Sequence, residues 1–223
     1  MDLWSRLDAV QARWNVLEHP FYARWSAGQL SREDLARYAG QYRHAVVALA
    51  EATDRAAHAA PLEHRAELAA HAGEEAAHIA LWDAFADAAG TDGPQPPEPE
   101  TAACAAAWAG DGRGLLGHLV ALYAIESAQP EISRVKADGL RRHYGFSAGL
   151  GTAYFDLHVE RDREHAAAGR ALLEPQLDDA DQDALVAEAE RMLRSNWELL
   201  DAVERLCAVD TRSSAATPKL PAR

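Results

Sequence analysis

The sequence predicts an all-α protein, a single bundle of seven or so helices, on three observations. Apolar residues recur at three- and four-residue steps along most of the 223 residues. No run of alternating β-branched residues announces a strand. Gly and Pro gather in a few stretches between the periodic segments instead of interrupting them. In order, a first helix is expected over 2–17, with Pro20 discouraging its continuation. The loop SAGQLSRED ends in a capping signal, Ser31 with Asp34 three residues on, which opens a helix over 32–60 that stops at Pro61. Another is expected over 62–89, ended by the Pro-rich acidic stretch AGTDGPQPPEPE, which reads as an exposed connection. A short Ala-rich helix over 101–109 breaks at GDGRG, and helices over 113–143, 147–173 and 178–208 follow. One domain is therefore expected over 1–208, with 209–223, which lacks apolar periodicity, as a disordered tail.

Net charge is −13 and the isoelectric point about 5.1, a balance that repels phosphate backbones and disfavours nucleic acid or an anionic membrane as partner. The two cysteines, Cys104 and Cys207, have no CxxC spacing, which excludes a disulfide framework and suggests a reducing compartment. Charges interrupt every apolar run of the N-terminal stretch MDLWSRLDAVQARW, so it reads as an amphipathic helix and not a signal peptide. No stretch approaches the roughly 20 apolar residues of a membrane span. A cytoplasmic location is expected.

The chemistry concentrates in YFDLHVERDREH. His158, Asp162 and His165 are spaced four and three residues apart. At about 100° per residue they fall within roughly a 60° arc, so two imidazoles and a carboxylate project together, half of a transition-metal site. A second segment, HAGEEAAHIALW, carries Glu75-x-x-His78, the device by which helical bundles place a carboxylate and an imidazole on adjacent turns. Glu74, four residues before His78, is an alternative to Glu75. Glu126, in the apolar run LVALYAIESAQP, is the candidate bridging carboxylate, because an unpaired charge there would cost several kcal/mol. Pro130 clashes with the carbonyl four residues earlier, that of Glu126, and predicts a kink at that ligand. Glu75, His78, Glu126, His158, Asp162 and His165 mix carboxylates with imidazoles, a set that suits iron or manganese better than calcium, magnesium or structural zinc. Glu51, Asp54 and His58 also share a helical face, but read as a solvated stripe with i, i+4 pairing.

The run LEHPFYARWSAGQLSREDLARYAGQY resembles the N-terminal signature of the heme-oxygenase-like superfamily, which includes TenA thiaminases, PqqC-type oxidases and diiron oxidases. The blocks EEAAHIALWDAF, ALYAIESAQPEISRVKADGLRRHYGF and YFDLHVERDREH resemble its CADD-type para-aminobenzoate synthases, in unbroken order over roughly 15–173. The resemblance implies a heme-oxygenase-like bundle, and a pair of ions, iron with iron or manganese, that uses dioxygen and an external reductant, without heme. It further implies that a tyrosine of the chain supplies the ring of para-aminobenzoate and a lysine its amino group, for folate synthesis. By matching blocks these are Tyr22 and Lys136, with Tyr38 as a second tyrosine able to relay a radical. A homodimer is expected on the same ground. The branch carries about one extra helical turn between its acidic pair and the following histidine, where this chain has only Ala76 and Ala77.

Competing readings share parts of this pattern. A diiron oxidase acting on an external small molecule would use the same ligands without consuming Tyr22 or Lys136. A TenA-type thiaminase would need a cysteine nucleophile, for which Cys104 has no evident acid or base neighbour. A metal-free helical interaction module would leave the acid–imidazole pattern dispensable. His19 is the histidine that an axial heme ligand would have to be, against a carboxylate-rich interior that suits metal ions better.

Overall fold

The computed structural model describes residues 2–215. Its helices are α1 (Leu3–Arg13), α2 (Pro20–Ser26), α3 (Arg32–Ala59), α4 (Leu62–Ala89), α5 (Pro99–Ala109), α6 (Leu115–Glu126), α7 (Gln129–His143), α8 (Ala153–Leu173) and α9 (Gln182–Ala215), with 3₁₀ turns at Val16–Glu18 and Glu174–Gln176. Strands are absent among the described residues. The long hairpin of α3 and α4 forms one side of the bundle. The α5 and α6 helices lie against α3, α8 packs on α4, α6 and α7, and α9 closes the far side against α1, α5 and α6.

The helix starts follow local chemistry. Ser31 caps α3 through the amide of Asp34, whose carboxylate in turn accepts from the Ser31 amide, so the expected capping box is complete. At the end of α4, Gly90 adopts φ +89°, a left-handed turn that lets its amide and that of Thr91 close back on the last carbonyls. The Pro-rich connection is largely exposed as expected, but Gln41 of α3 pins it, donating to the Pro96 carbonyl and accepting from the Glu98 amide and the Thr101 hydroxyl.

Three differences from the expected elements have local causes. Pro20, which discourages a preceding helix from continuing, here opens α2 at the first helical position, where its missing N–H costs nothing; His19 Nδ1 accepts from the Phe21 amide as the cap. The single helix expected over 113–143 is two, α6 and α7, broken at Ser127–Ala128; the kink attributed to Pro130 is thus a full break directly after Glu126. These two changes turn the expected seven helices into α1–α9. Finally, α8 begins at Ala153 instead of 147, after left-handed Gly145 and Gly149, and α9 continues to Ala215, so part of the expected tail is helical. The remainder of that tail, 216–223, lies outside the described residues.

The main core is unusually aromatic: Phe21, Tyr22 and Trp25 from α2 meet Tyr38 and Tyr42 from α3, Trp82 and Phe85 from α4, and Phe155 from α8. Edge-to-face packing of such rings contributes about 0.5–1.5 kcal/mol per pair beyond burial. A smaller aliphatic cluster joins Leu3 and Leu7 of α1 to Leu119 and Val120 of α6 and Leu185 and Leu193 of α9. Close approach of α7 to α2 depends on Gly139: a β-carbon there would stand 2.6 Å from the Trp25 ring, whose Nε1–H donates to the Lys136 carbonyl at 3.2 Å.

Candidate metal centre

Between α4, α6 and α8 the bundle interior is polar. Glu75 and His78 project from α4, His158, Asp162 and His165 from α8, and Glu126 from the last turn of α6; all six are buried. The structure therefore brings together every sequence-predicted ligand. It adds one that sequence reasoning missed, His71, four residues before Glu75 on α4. The missing signal was in plain view, because His71, Glu75 and His78 repeat on α4 the four-and-three spacing of His158, Asp162 and His165 on α8. The two helices run in opposite directions, so the first histidine of each set meets the last of the other. His71 and His165 stack with ring centroids 3.8 Å apart, and His78 and His158 stand edge-to-face at 4.7 Å.

Glu75 lies at the centre. Its Oε1 is 3.0 Å from His78 Nδ1 and 3.7 Å from His165 Nδ1, and its Oε2 is 4.0 Å from His158 Nε2. Glu126 Oε1 is 3.0 Å from His71 Nε2, and Asp162 Oδ1 is 3.9 Å from His165 Nδ1. Three trios of donors, His71–Glu126–His165, Glu75–His78–His158 and Glu75–Asp162–His165, each gather within 4.8 Å. One nitrogen or oxygen on each of the seven residues is buried without a hydrogen bond: His71 Nε2, Glu75 Oε1, His78 Nδ1, Glu126 Oε1, His158 Nε2, Asp162 Oδ2 and His165 Nδ1. Buried polar atoms normally find partners, and leaving one unsatisfied costs about 1–3 kcal/mol. Seven orphaned donors facing one another are the chemistry of a metal-binding cluster, and mixed imidazole and carboxylate suits iron-type ions.

Neighbouring groups fix which atom each imidazole presents. His158 Nδ1–H donates to the Tyr154 carbonyl at 2.6 Å, which leaves Nε2 as the lone-pair atom facing Glu75. His165 Nε2–H donates to Glu74 Oε2 at 3.1 Å, which leaves Nδ1 facing inward. The choice between Glu74 and Glu75 is thereby resolved in geometry: Glu75 points into the cluster, while Glu74 sits behind His165 and receives Arg161, with Arg161 Nε at 2.6 Å from Oε2. The Arg161 guanidinium holds the Glu74 carboxyl at about 2.

Electrostatics separate the acids. Burial raises Glu75, but the attraction of the adjacent His158 and His78 imidazoles outweighs it and holds the carboxyl below its ordinary range. Burial and the nearby charge of Glu75 push Glu126 well up. Burial, reinforced by Glu126 and Glu75, carries Asp162 up to about 8, while burial brings His165 down to about 4. Three carboxylates crowded without counter-charge cannot all ionise, which a dication would relieve.

Beside this cluster, Tyr22, Tyr38 and Lys136 meet in the aromatic core. The Tyr22 and Tyr38 hydroxyls share a hydrogen bond of 2.8 Å. Lys136 Nζ stands over the rings of Tyr42 at 4.7 Å, Tyr22 at 5.1 Å, Tyr38 at 5.5 Å and Phe155 at 5.6 Å. Burial alone brings its amine down to about 7, and burial reinforced by neighbouring phenols raises Tyr22 and Tyr38 well above their usual range. Tyr154 links the two regions, its ring stacked on His158 at 4.0 Å and edge-on to Trp82 at 4.9 Å.

Other candidates separate cleanly. Glu51, Asp54 and His58 are exposed, with His58 Nδ1 3.3 Å from Asp54 Oδ2 and Glu51 paired with Arg55, as a solvated stripe should be. Cys104 and Cys207 are buried and form no disulfide, and burial pushes their thiols up to about 12, which argues against a thiolate nucleophile. His19 uses both ring nitrogens, accepting from Phe21 and donating to Asp201 at 3.1 Å.

Residues 36–197 match a family of iron-containing redox enzymes. The 4-aminobenzoate synthase of Chlamydia trachomatis is 34% identical over 214 residues, covering 90% of this chain and 91% of that protein. That of Nitrosomonas europaea is 31% identical over 226 residues, covering 92% of each. Among solved structures, a domain with a heme oxygenase-like fold from Shewanella denitrificans superposes with a TM-score of 0.76 at 20% identity, covering 100% of this chain and 99% of that one. A TenA homologue from Pseudomonas syringae gives 0.76 at 18% identity, covering 91% of each chain. At those identities the structural likeness shows the fold, a heme-oxygenase-like all-α bundle.

Proposed function

This chain belongs to the family of iron-containing redox enzymes, and from that premise we propose that it is an oxygen-dependent para-aminobenzoate synthase that consumes its own Tyr22 and Lys136. Two ions, iron with iron or manganese, held by the acids and imidazoles of α4, α6 and α8, would supply the power to oxidise a buried aromatic ring with dioxygen and an external reductant. The reading comes from relatives named 4-aminobenzoate synthase that span nearly the whole chain.

The observation that carries it is the enclosure of Tyr22 and Lys136 together. The amine stands 5.1 Å from the ring centroid, both side chains are buried, and ring contacts run from Tyr38 through Trp82 and Tyr154 to His158 of the donor cluster. Tyr22 offers the ring. The Tyr38 hydroxyl, 2.8 Å from that of Tyr22, can take or return the phenolic proton. Lys136, near neutrality at physiological pH, offers a nitrogen lone pair that an ordinary lysine lacks. The surrounding rings exclude water that would compete with the amine. Para-aminobenzoate made in this way would feed folate synthesis.

A second reading, an oxidase acting on an external small molecule, draws support from a cleft of about 230 Å³ that reaches His71, Glu126 and His165. Intact-mass analysis separates the two. Reduced, iron-loaded protein is exposed to dioxygen, using chain labelled with ring-¹³C tyrosine. The first reading expects labelled para-aminobenzoate, with mass loss mapping to Tyr22 and Lys136, and no product from Tyr22→Phe. Unchanged protein mass alongside turnover of an added substrate would overturn it.

A further inference from the structure

We propose that His71 is a metal ligand, and that with Glu126 and His165 it forms an outer ion subsite opening to solvent, while Glu75, His78 and His158 form an inner, enclosed one. The inference rests on the dimetal reading above and goes beyond the six ligands on which that reading began.

Three observations converge. The first is the repeated spacing. His71, Glu75 and His78 on α4 and His158, Asp162 and His165 on α8 have the same helical register, so the antiparallel pair presents two facing imidazole couples. One couple alone would account for a single ion; two couples about one central carboxylate, Glu75, account for two. The second is the state of the donor atoms. His71 Nε2 is buried and has no hydrogen bond, although it lies 3.0 Å from Glu126 Oε1, itself orphaned on a side chain only 2% exposed. An imidazole placed there simply to satisfy the acid would be aligned with it. The third is access. The cleft of about 230 Å³ between α4, α6 and α8 is lined by His71, Glu126 and His165, with Glu67, Glu164 and the Arg161–Glu74 pair near its mouth. None of His78, His158 and Glu75 lines it.

The two-residue connection between the acidic pair and His78 gives this arrangement its logic. With only Ala76 and Ala77 between Glu75 and His78, Glu75 takes the central position and Glu74 turns behind His165. The outer subsite then needs a further donor from α4, and the residue one turn before Glu75 is His71.

The test uses the full chain, stripped by chelator and reloaded anaerobically with Mn(II). Bound ions are counted by elemental analysis, and spin coupling between them is followed by EPR. Wild type should hold two ions per chain, with a coupled signal. His71→Leu should hold one, with an uncoupled Mn(II) signal, and His71→Glu, which keeps a donor, should return to two. A chelator added to loaded wild type should remove one ion at least tenfold faster than the other, leaving the uncoupled signal. Two coupled ions in His71→Leu would overturn the assignment of His71, and equal loss of both ions would overturn the outer and inner distinction. Fewer than two ions in wild type would overturn the dimetal reading itself, a result distinct from either.

Discussion

Replacing Lys136 by Met should stabilise the protein strongly at neutral pH and hardly at all at high pH. The Lys136 amine is buried among Tyr22, Tyr38, Tyr42 and Phe155, and burial lowers it from its ordinary 10.5 to about 7. In the unfolded chain it keeps its proton up to the ordinary value. Between the two, the unfolded state binds more protons, so wild-type stability rises with pH through that window. Folding below pH 7 therefore carries the full cost of the buried amine, roughly 5 kcal/mol at about 1.4 kcal/mol per tenfold. That cost fades to nothing above the ordinary value. Met has nearly the same length and no proton to lose, so the wild-type-minus-variant difference isolates this one group. Urea denaturation of both proteins, metal-free, at intervals from pH 6.5 to 9.5 should give a difference that shrinks by about 1.4 kcal/mol per pH unit above neutrality. A difference independent of pH, or a variant less stable than wild type at pH 6.5, would show that Lys136 is not a buried neutral amine. Its proposed role as nitrogen donor would then lose its physical basis.

Metal affinity should strengthen as pH rises from 6 to 8, by about tenfold per pH unit for the proton displaced, because Asp162, raised to about 8, must give up its proton to bind an ion. His165, lowered to about 4, releases none. Calorimetry in buffers of different ionisation enthalpy detects that proton, and pH-independent binding would contradict the assignment. Cys104→Ala should cost about 1–2 kcal/mol in denaturation for its lost packing and leave para-aminobenzoate formation intact, since the thiol is buried and held protonated; loss of product with the fold retained would reopen thiol chemistry. Gly139→Ala should destabilise by about 1–3 kcal/mol as the new methyl meets the Trp25 ring. A neutral result in thermal denaturation would mean that α7 does not sit against α2 as described.

What could be read before folding was whatever a single helix encodes. The trio on α8 and the pair on α4 were legible because spacing along one helix sets which side chains share a face. Glu126 stood out because a carboxylate in LVALYAIESAQP has no reason to be there without a partner. The α6–α7 break was half visible: Pro130 located it, but spacing could not distinguish a kink from a new helix start. His71 lies outside the Glu-x-x-His pattern, which reaches only Glu75 and His78, although its register repeats the spacing on α8. The roles of Glu74 and Glu75 could not be separated by their spacing to His78 alone. Both lie near the same face, and the deciding contact, Arg161 drawing Glu74 behind His165, joins residues 87 apart.

The most direct measurement is a crystal structure of iron- and manganese-loaded protein with anomalous data on either side of each metal edge. Two ions between α4, α6 and α8, touching His71, Glu75, His78, Glu126, His158, Asp162 and His165, are the predicted result. A lone ion, or density bound anywhere else on the chain, would contradict the claim that these helices were assembled around a metal pair.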